Sequence, residues 1–194
     1  MVKAYFFNYI CFNKTIKNMR KIVYLFIAVI TISLASCGGN SNENDNQKVE
    51  STVLKGYEEL NLSEWGFNLL IMVPKSDVYG KPEVTLTESG ALQIFVGIDF
   101  GIEIMYGDAD IELLKQDLKE DLVFTTDIVK EEENALVYAQ NIPDAGVKTQ
   151  NHFLYRANVD GEVFEVRDVV GNEYLSGMIE KMLEAAKTIK SSNK

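Results

Sequence analysis

Cysteine is scarce in this chain: Cys11 and Cys37 are the only two in 194 residues, and none follows position 37. The body of the protein can therefore form no internal disulfide and no cysteine metal site, and its stability has to come from an apolar core. Histidine is scarcer, with His152 alone. A single histidine can serve as a general base, but no Ser or Cys nucleophile can be placed beside it from sequence. It reads as an ordinary surface side chain at the start of a strand, on the same face as Arg156. Positive charge is also in short supply, and what there is lies unevenly. Residues 1–36 hold five basic residues (Lys3, Lys14, Lys17, Arg20, Lys21) and no acidic one. Removing those five from the 19 leaves 14 basic against 29 acidic residues, a net charge of −15 for the rest. Such a body lacks the clustered Lys and Arg that bind phosphates, which excludes a nucleic-acid partner. Anionic lipid should repel it as well.

Phosphate-loop and calcium motifs are missing too. Gly97, Gly101 and Gly107 are scattered and no Lys-Ser or Lys-Thr follows them. The acidic set Asp99, Glu103, Asp108, Asp110 and Glu112 suggests calcium only superficially, because the segment from Asp108 lacks the glycine that the sixth position of an EF-hand loop requires. A capped helix start explains these residues more simply. Glu131-Glu132-Glu133 reads as a solvated turn, and Trp65, beside Gly66, either lines a ligand groove or takes a structural place at the domain edge. No catalytic, cofactor-binding or metal site is expected, and no cofactor.

What the sequence does contain is an ordered N-terminal series. Met19-Arg20-Lys21 supplies a start-like residue and two charges, so translation is expected to begin there. Ile22 to Ser36 is a fifteen-residue run without a charge, shorter than the roughly 20 residues of a membrane-spanning helix. It ends in Leu34-Ala35-Ser36-Cys37, and Gly38 to Asn46 follows with no aliphatic or aromatic side chain. Leu34-Ala35-Ser36-Cys37 resembles the lipobox of bacterial lipoproteins: one aliphatic residue, two small residues, then cysteine. The resemblance implies cleavage before Cys37 and lipid attachment to its thiol. Two or three acyl chains anchor stably where one is marginal. Residues 1–36 are then a signal peptide, 37–52 a flexible polar tether and 53–194 one domain, long enough for a single core. The expected location is the bacterial cell envelope. Gly38, rather than Asp, after the cysteine resembles the sorting signal for the outer membrane in a two-membrane cell.

The domain reads as alternating strands and two helices. Gly66 to Pro74 is apolar on both faces, a strand covered on both sides. Val84 to Glu88 and Ala91 to Val96 form a hairpin turning at Ser89-Gly90, and Gly101 to Tyr106 is a further strand. Ile111, Leu114, Leu118 and Leu122 recur at helical spacing, with Asp108 or Asp110 as the cap. Val123 to Val129 and Ala135 to Ala139 are strands. His152 to Val159 and Glu162 to Val169 form a hairpin at Asp160-Gly161, which sets Ala157 opposite Phe164 and Arg156 opposite Glu165, an opposite-charge pair. A terminal helix runs from Asn172 to about Lys190, with Met182 on its apolar stripe. Fold class is therefore α+β: an antiparallel sheet of six or seven strands with two main helices packed on it. A Gly-Phe strand ending in proline near the start and a Tyr-rich hairpin leading into an amphipathic terminal helix make residues 55–190 similar to the PsbP-like family. That resemblance implies an α/β/α sandwich and a largely non-enzymatic role in binding and assembling other proteins.

The expected function is that of a membrane-anchored lipoprotein with a non-enzymatic binding or assembly role in the envelope, meeting a protein partner with a basic surface. The alternative is an envelope hydrolase using carboxylates that sequence cannot pair. A cleft of perturbed carboxylates favours the enzyme, and a broad apolar or aromatic patch favours the binder.

Overall fold

The structure, a computed structural model, describes residues 54–193. The expected signal peptide, Cys37 and the expected tether lie outside the described residues. In chain order the elements are β1 (Tyr57–Asn61), β2 (Leu69–Pro74), α1 (Ser76–Tyr79), β3 (Glu83–Leu86), β4 (Leu92–Val96), β5 (Phe100–Tyr106), α2 (Ile111–Glu120), β6 (Thr125–Glu132), β7 (Ala135–Asn141), β8 (Gln150–Val159), β9 (Glu162–Asp168), α3 (Ser176–Ala186) and β10 (Lys190–Ser191). Seven strands form one antiparallel sheet in the order β3-β4-β5-β9-β8-β7-β6. The fold is α+β with strands dominating.

The topology follows from one long step. After β5 the chain leaves the sheet, crosses it as α2, and re-enters at the far edge as β6. The meander β6-β7-β8-β9 then walks back until β9 pairs with β5. The crossing helix needs an apolar stripe on its sheet side. Ile111, with Leu114 and Leu118, packs on Leu136 and Leu154, forming a small core on this face. The larger core lies on the opposite face. There Ile102, Ile104, Ala157, Phe164 and Val166 meet Ile179, Met182 and Leu183 of α3. Phe164 is 1% exposed and Met182 0%, as the helical and hairpin periodicities predict.

The hairpin β8–β9 has the predicted register, with Ala157 opposite Phe164 and Arg156 opposite Glu165. Its turn requires positive φ at both central residues, and Asp160 (53°) and Gly161 (86°) supply it, the geometry of a type I′ turn. The hairpin β3–β4 differs from expectation. Thr87 N–H donates to the Ala91 carbonyl and Ala91 N–H to Thr87 Oγ1, which encloses three residues rather than two.

Four further expectations are corrected. β2 belongs to a separate three-stranded sheet, between β1 and β10, and only one face is fully covered: Leu69, Ile71 and Val73 are buried while Leu70 and Met72 are half-buried. The terminal helix is shorter at both ends. Thr188 Oγ1 donates to the Ala185 carbonyl and accepts the Met72 N–H at 2.9 Å, so the chain leaves the helix to lie along β2. α2 stops before Leu122, which is 99% exposed. The Asp121 carboxylate accepts the N–H groups of Val123 and Phe124, a local turn that competes with a further helical turn. Finally, Glu131 and Glu132 are strand residues. A bulge at Val129 re-aims the strand, turning Glu131 toward α2, where it meets Lys115, and Glu132 toward α3, where it meets Lys187.

Candidate functional site

Three places on the described residues gather chemistry, and the sheet positions all of them. The first is an open acidic basin of about 700 Å³ where β5 passes into α2. Asp108, Asp110 and Glu112 come from the start of α2, Glu131 and Glu132 from the end of β6, Glu133 from the β6–β7 turn, and Arg156 from β8. Asp110 is the helix cap, accepting the Leu113 N–H at 2.9 Å. Lys115 bridges Glu131 and Glu112 at 2.8 and 3.1 Å, and Glu131 first, then Glu112, hold its ammonium above the ordinary lysine range. Lys130 and Lys187 hold the Glu132 carboxyl below its ordinary range. Asp108, Glu133 and Arg156 form no ion pair among the described residues. Arg156 faces Glu165 in register, yet Glu165 pairs with Arg167 at 3.4 Å instead.

The second place is a recess of about 230 Å³ between α2 and β7–β9. His152 lies there, and its expected surface position is wrong: the residue is 8% exposed. Its Nδ1 is 2.8 Å from Asp168 Oδ2, while Asp168 Oδ1 accepts the Phe153 N–H at 2.9 Å. Tyr138 packs against the imidazole with ring centroids 5.3 Å apart. Burial, and after it the Asp168 charge, pushes the Tyr138 phenol up to about 12. Beside the recess a polar row crosses the sheet. Arg167 Nε and Nη2 both donate to Glu103 Oε1 at 2.9 and 2.6 Å, and Gln93 donates to Glu103 Oε2 at 2.7 Å. An Asp-oriented imidazole is half of a proton-transfer device. No Ser, Thr or Cys lines this recess.

The third place is an apolar cleft of about 670 Å³ on the α3 face. Tyr57, Tyr79, Phe100 and Met178 are among the residues that line it, and so is Leu54, the first described residue. Tyr57 and Phe100 meet edge to face with centroids 6.5 Å apart. Burial, then the neighbouring Tyr79, raises the Tyr57 phenol. The basin and this cleft stand at opposite ends of β5: Phe100 begins the strand at the cleft, and Tyr106 ends it two residues before Asp108.

Of the acidic residues considered for calcium, Asp108, Asp110 and Glu112 line the basin, and Asp99 and Glu103 lie elsewhere. Asp99 is exposed at the cleft, Glu103 is bound by Arg167, and Asp110 caps a helix. Among the described residues no group of three His, Cys, Asp or Glu side chains could hold a metal ion. Trp65 ends a short 3-10 turn, half-buried against the larger core. Gly101 is a close-approach position: a Cβ there would lie 2.0 Å from Tyr174 Oη. The His152–Asp168 pair escaped sequence reasoning although a signal existed. Continuing the β8–β9 register beyond Leu154 opposite Arg167 brings Phe153 opposite Asp168 and His152 next to that pair. No family model matches the chain, and no curated protein matches it in sequence.

Proposed function

We propose that this protein is an envelope lipoprotein, anchored through acyl chains on Cys37, whose domain binds a protein partner with a basic surface rather than catalysing a reaction. In a two-membrane cell, Gly38 rather than Asp after the cysteine fits sorting to the outer membrane. The sheet between two helices supports the similarity to PsbP-like domains, whose role is binding and assembly. The observation that carries the reading is the basin. Its concave surface gathers six carboxylates against the single Arg156, and three of the six have no cationic partner: Asp110, which caps α2, and Asp108 and Glu133. Such a surface steers a basic partner and gains specificity from charge complementarity. The test is the association rate with the partner captured by the lipidated protein. It should fall as salt rises, since the Debye length shrinks from about 30 Å at 0.01 M to about 8 Å at 0.15 M. Asp108→Asn with Glu133→Gln should slow it further. A tight partner whose rate ignores both overturns the reading.

A second reading, a hydrolase, is favoured by one observation, the Asp168-oriented His152 at a recess. In that reading His152 would activate a water molecule directly, with no covalent intermediate. Turnover of an ester or amide substrate that His152→Gln abolishes would establish it, and would displace the binding role.

A further inference from the structure

We infer that the cleft end of the domain docks on the bilayer itself; this rests on the Cys37 anchor of the proposed function and adds a membrane contact to it. Two turns project at this end, α1 and the β4–β5 connection. They carry Val78, Tyr79 and Ile98, which are 67%, 52% and 93% exposed. The two turns touch: a Cβ placed on Gly97 would come 3.1 Å from the Tyr79 carbonyl oxygen. Three large apolar side chains on two adjoining tips form one patch. It is too small for a stable protein interface, which covers about 800 Å² on each partner. Insertion among lipid headgroups needs no such area when acyl chains already hold the protein in place.

Charge points the same way. Among the described residues five of the ten lysines have a carboxylate partner: Lys115, Lys130, Lys148, Lys187 and Lys190. Of the other five, Lys55 and Lys181 line the cleft, and Lys75 and Lys81 flank the exposed tip of α1; only Lys119 lies elsewhere. Glu58, Asp77, Glu83, Asp99 and Glu180 stand among these four lysines, and Glu184 is offset by Lys187, so this end is slightly acidic and less so than the lining of the basin. Lysine ammonium groups around an apolar tip match the phosphate plane of a bilayer above its acyl region. The repulsion expected from net charge is thus weaker at this end than at the basin end. The chain geometry agrees. Leu54 lies at the cleft, and sixteen residues separate it from Cys37. At the maximum extension of a polypeptide that distance cannot exceed about 60 Å, and the chain coming from Cys37 joins the domain at the cleft rather than at the basin.

The experiment uses the full, lipid-modified protein carrying Ile98→Cys, whose new thiol is unique once Cys37 is acylated. A polarity-sensitive fluorophore is attached and the protein is reconstituted on vesicles of mixed zwitterionic and anionic phospholipid, with and without spin-labelled lipid as quencher. The same label on Leu122→Cys, at the exposed turn after α2, is the reference. The expected result is a blue shift and loss of most emission to the quencher at the first site, with emission kept at the second. Lys75→Glu with Lys81→Glu should lessen the quenching at the first site. Equal quenching at the two sites, with the protein still sedimenting with the vesicles, overturns bilayer docking and leaves the anchor standing. Protein that does not sediment with the vesicles and carries no acyl chain overturns the anchor, and docking with it.

Discussion

Gly101→Ala is the most informative single change in the core. Gly101 is the second residue of β5, where the strand passes beneath α3 and its N–H donates to Met182 Sδ at 3.2 Å. A methyl group on it would lie 2.0 Å from Tyr174 Oη and 3.0 Å from the Phe95 ring. Tyr174 is 4% exposed, and rotating its ring leaves Oη in place because that atom lies on the rotation axis. Relief therefore requires a new χ1 or a backbone shift under the helix. Overpacking of this kind costs about 1–3 kcal/mol. For a domain of this size that corresponds to a fall of roughly 4–12 °C in Tm. Thermal melts followed by circular dichroism would read it. Tyr174→Phe removes the clashing atom, so the double variant should melt well above the sum of the two single effects, the signature of directly coupled sites. A melt of Gly101→Ala unchanged from the parent, or strict additivity with Tyr174→Phe, would refute this packing.

Other predictions test other layers. Met182→Ala and Phe164→Ala should each cost about 2–5 kcal/mol, because both side chains are fully enclosed between α3 and the sheet. Ending the chain before Asn172 removes α3, Tyr174 and the β10 strand together. Denaturant titration should then find no cooperative transition, and a retained one would remove α3 from the core. Asp168→Asn weakens the acceptor of both His152 Nδ1 and the Phe153 N–H and should lower stability by about 1–3 kcal/mol; an unchanged denaturation midpoint would show that the pair is not structural. Alkali should destabilise the fold in a defined window. Burial first, and the Asp168 charge second, raise the Tyr138 and Tyr174 phenols to about 12 from the ordinary tyrosine value of 10.0. The native state thus holds these protons more tightly than the unfolded state. Their contribution is complete below pH 10 and is lost as pH rises toward 12. Stability measured across that window, beside ultraviolet titration of the tyrosines, would contradict this if it stayed level.

Much of the architecture can be read directly from residue pattern. The β8–β9 hairpin is readable because Asp160-Gly161 fixes turn type and hence every pair above it. α2 is readable from its stripe and its Asp110 cap. What pattern could not reveal depends on distant partners. Tyr57–Asn61 contains two glutamates and Lys190–Ser191 is two residues long, so neither looks like a strand until β2 lies between them. Leu122 continues the helical spacing, and only the Asp121 side chain ends the helix before it. His152 looks like a surface residue because burial by α2 is a tertiary fact. The site suffers most from averaging. A net charge of −15 correctly describes the body but conceals a basin of carboxylates at one end of β5 and four unpaired lysines at the other.

The whole functional account rests on Cys37. The most direct measurement is mass spectrometry of the N-terminal peptide of the protein isolated from membranes. The account predicts a chain that begins at Cys37 and carries two or three acyl groups, with Cys37→Ala left uncleaved and without lipid. A mature chain that keeps residues before Cys37, or a Cys37→Ala variant that reaches the same size and still bears lipid, would contradict it.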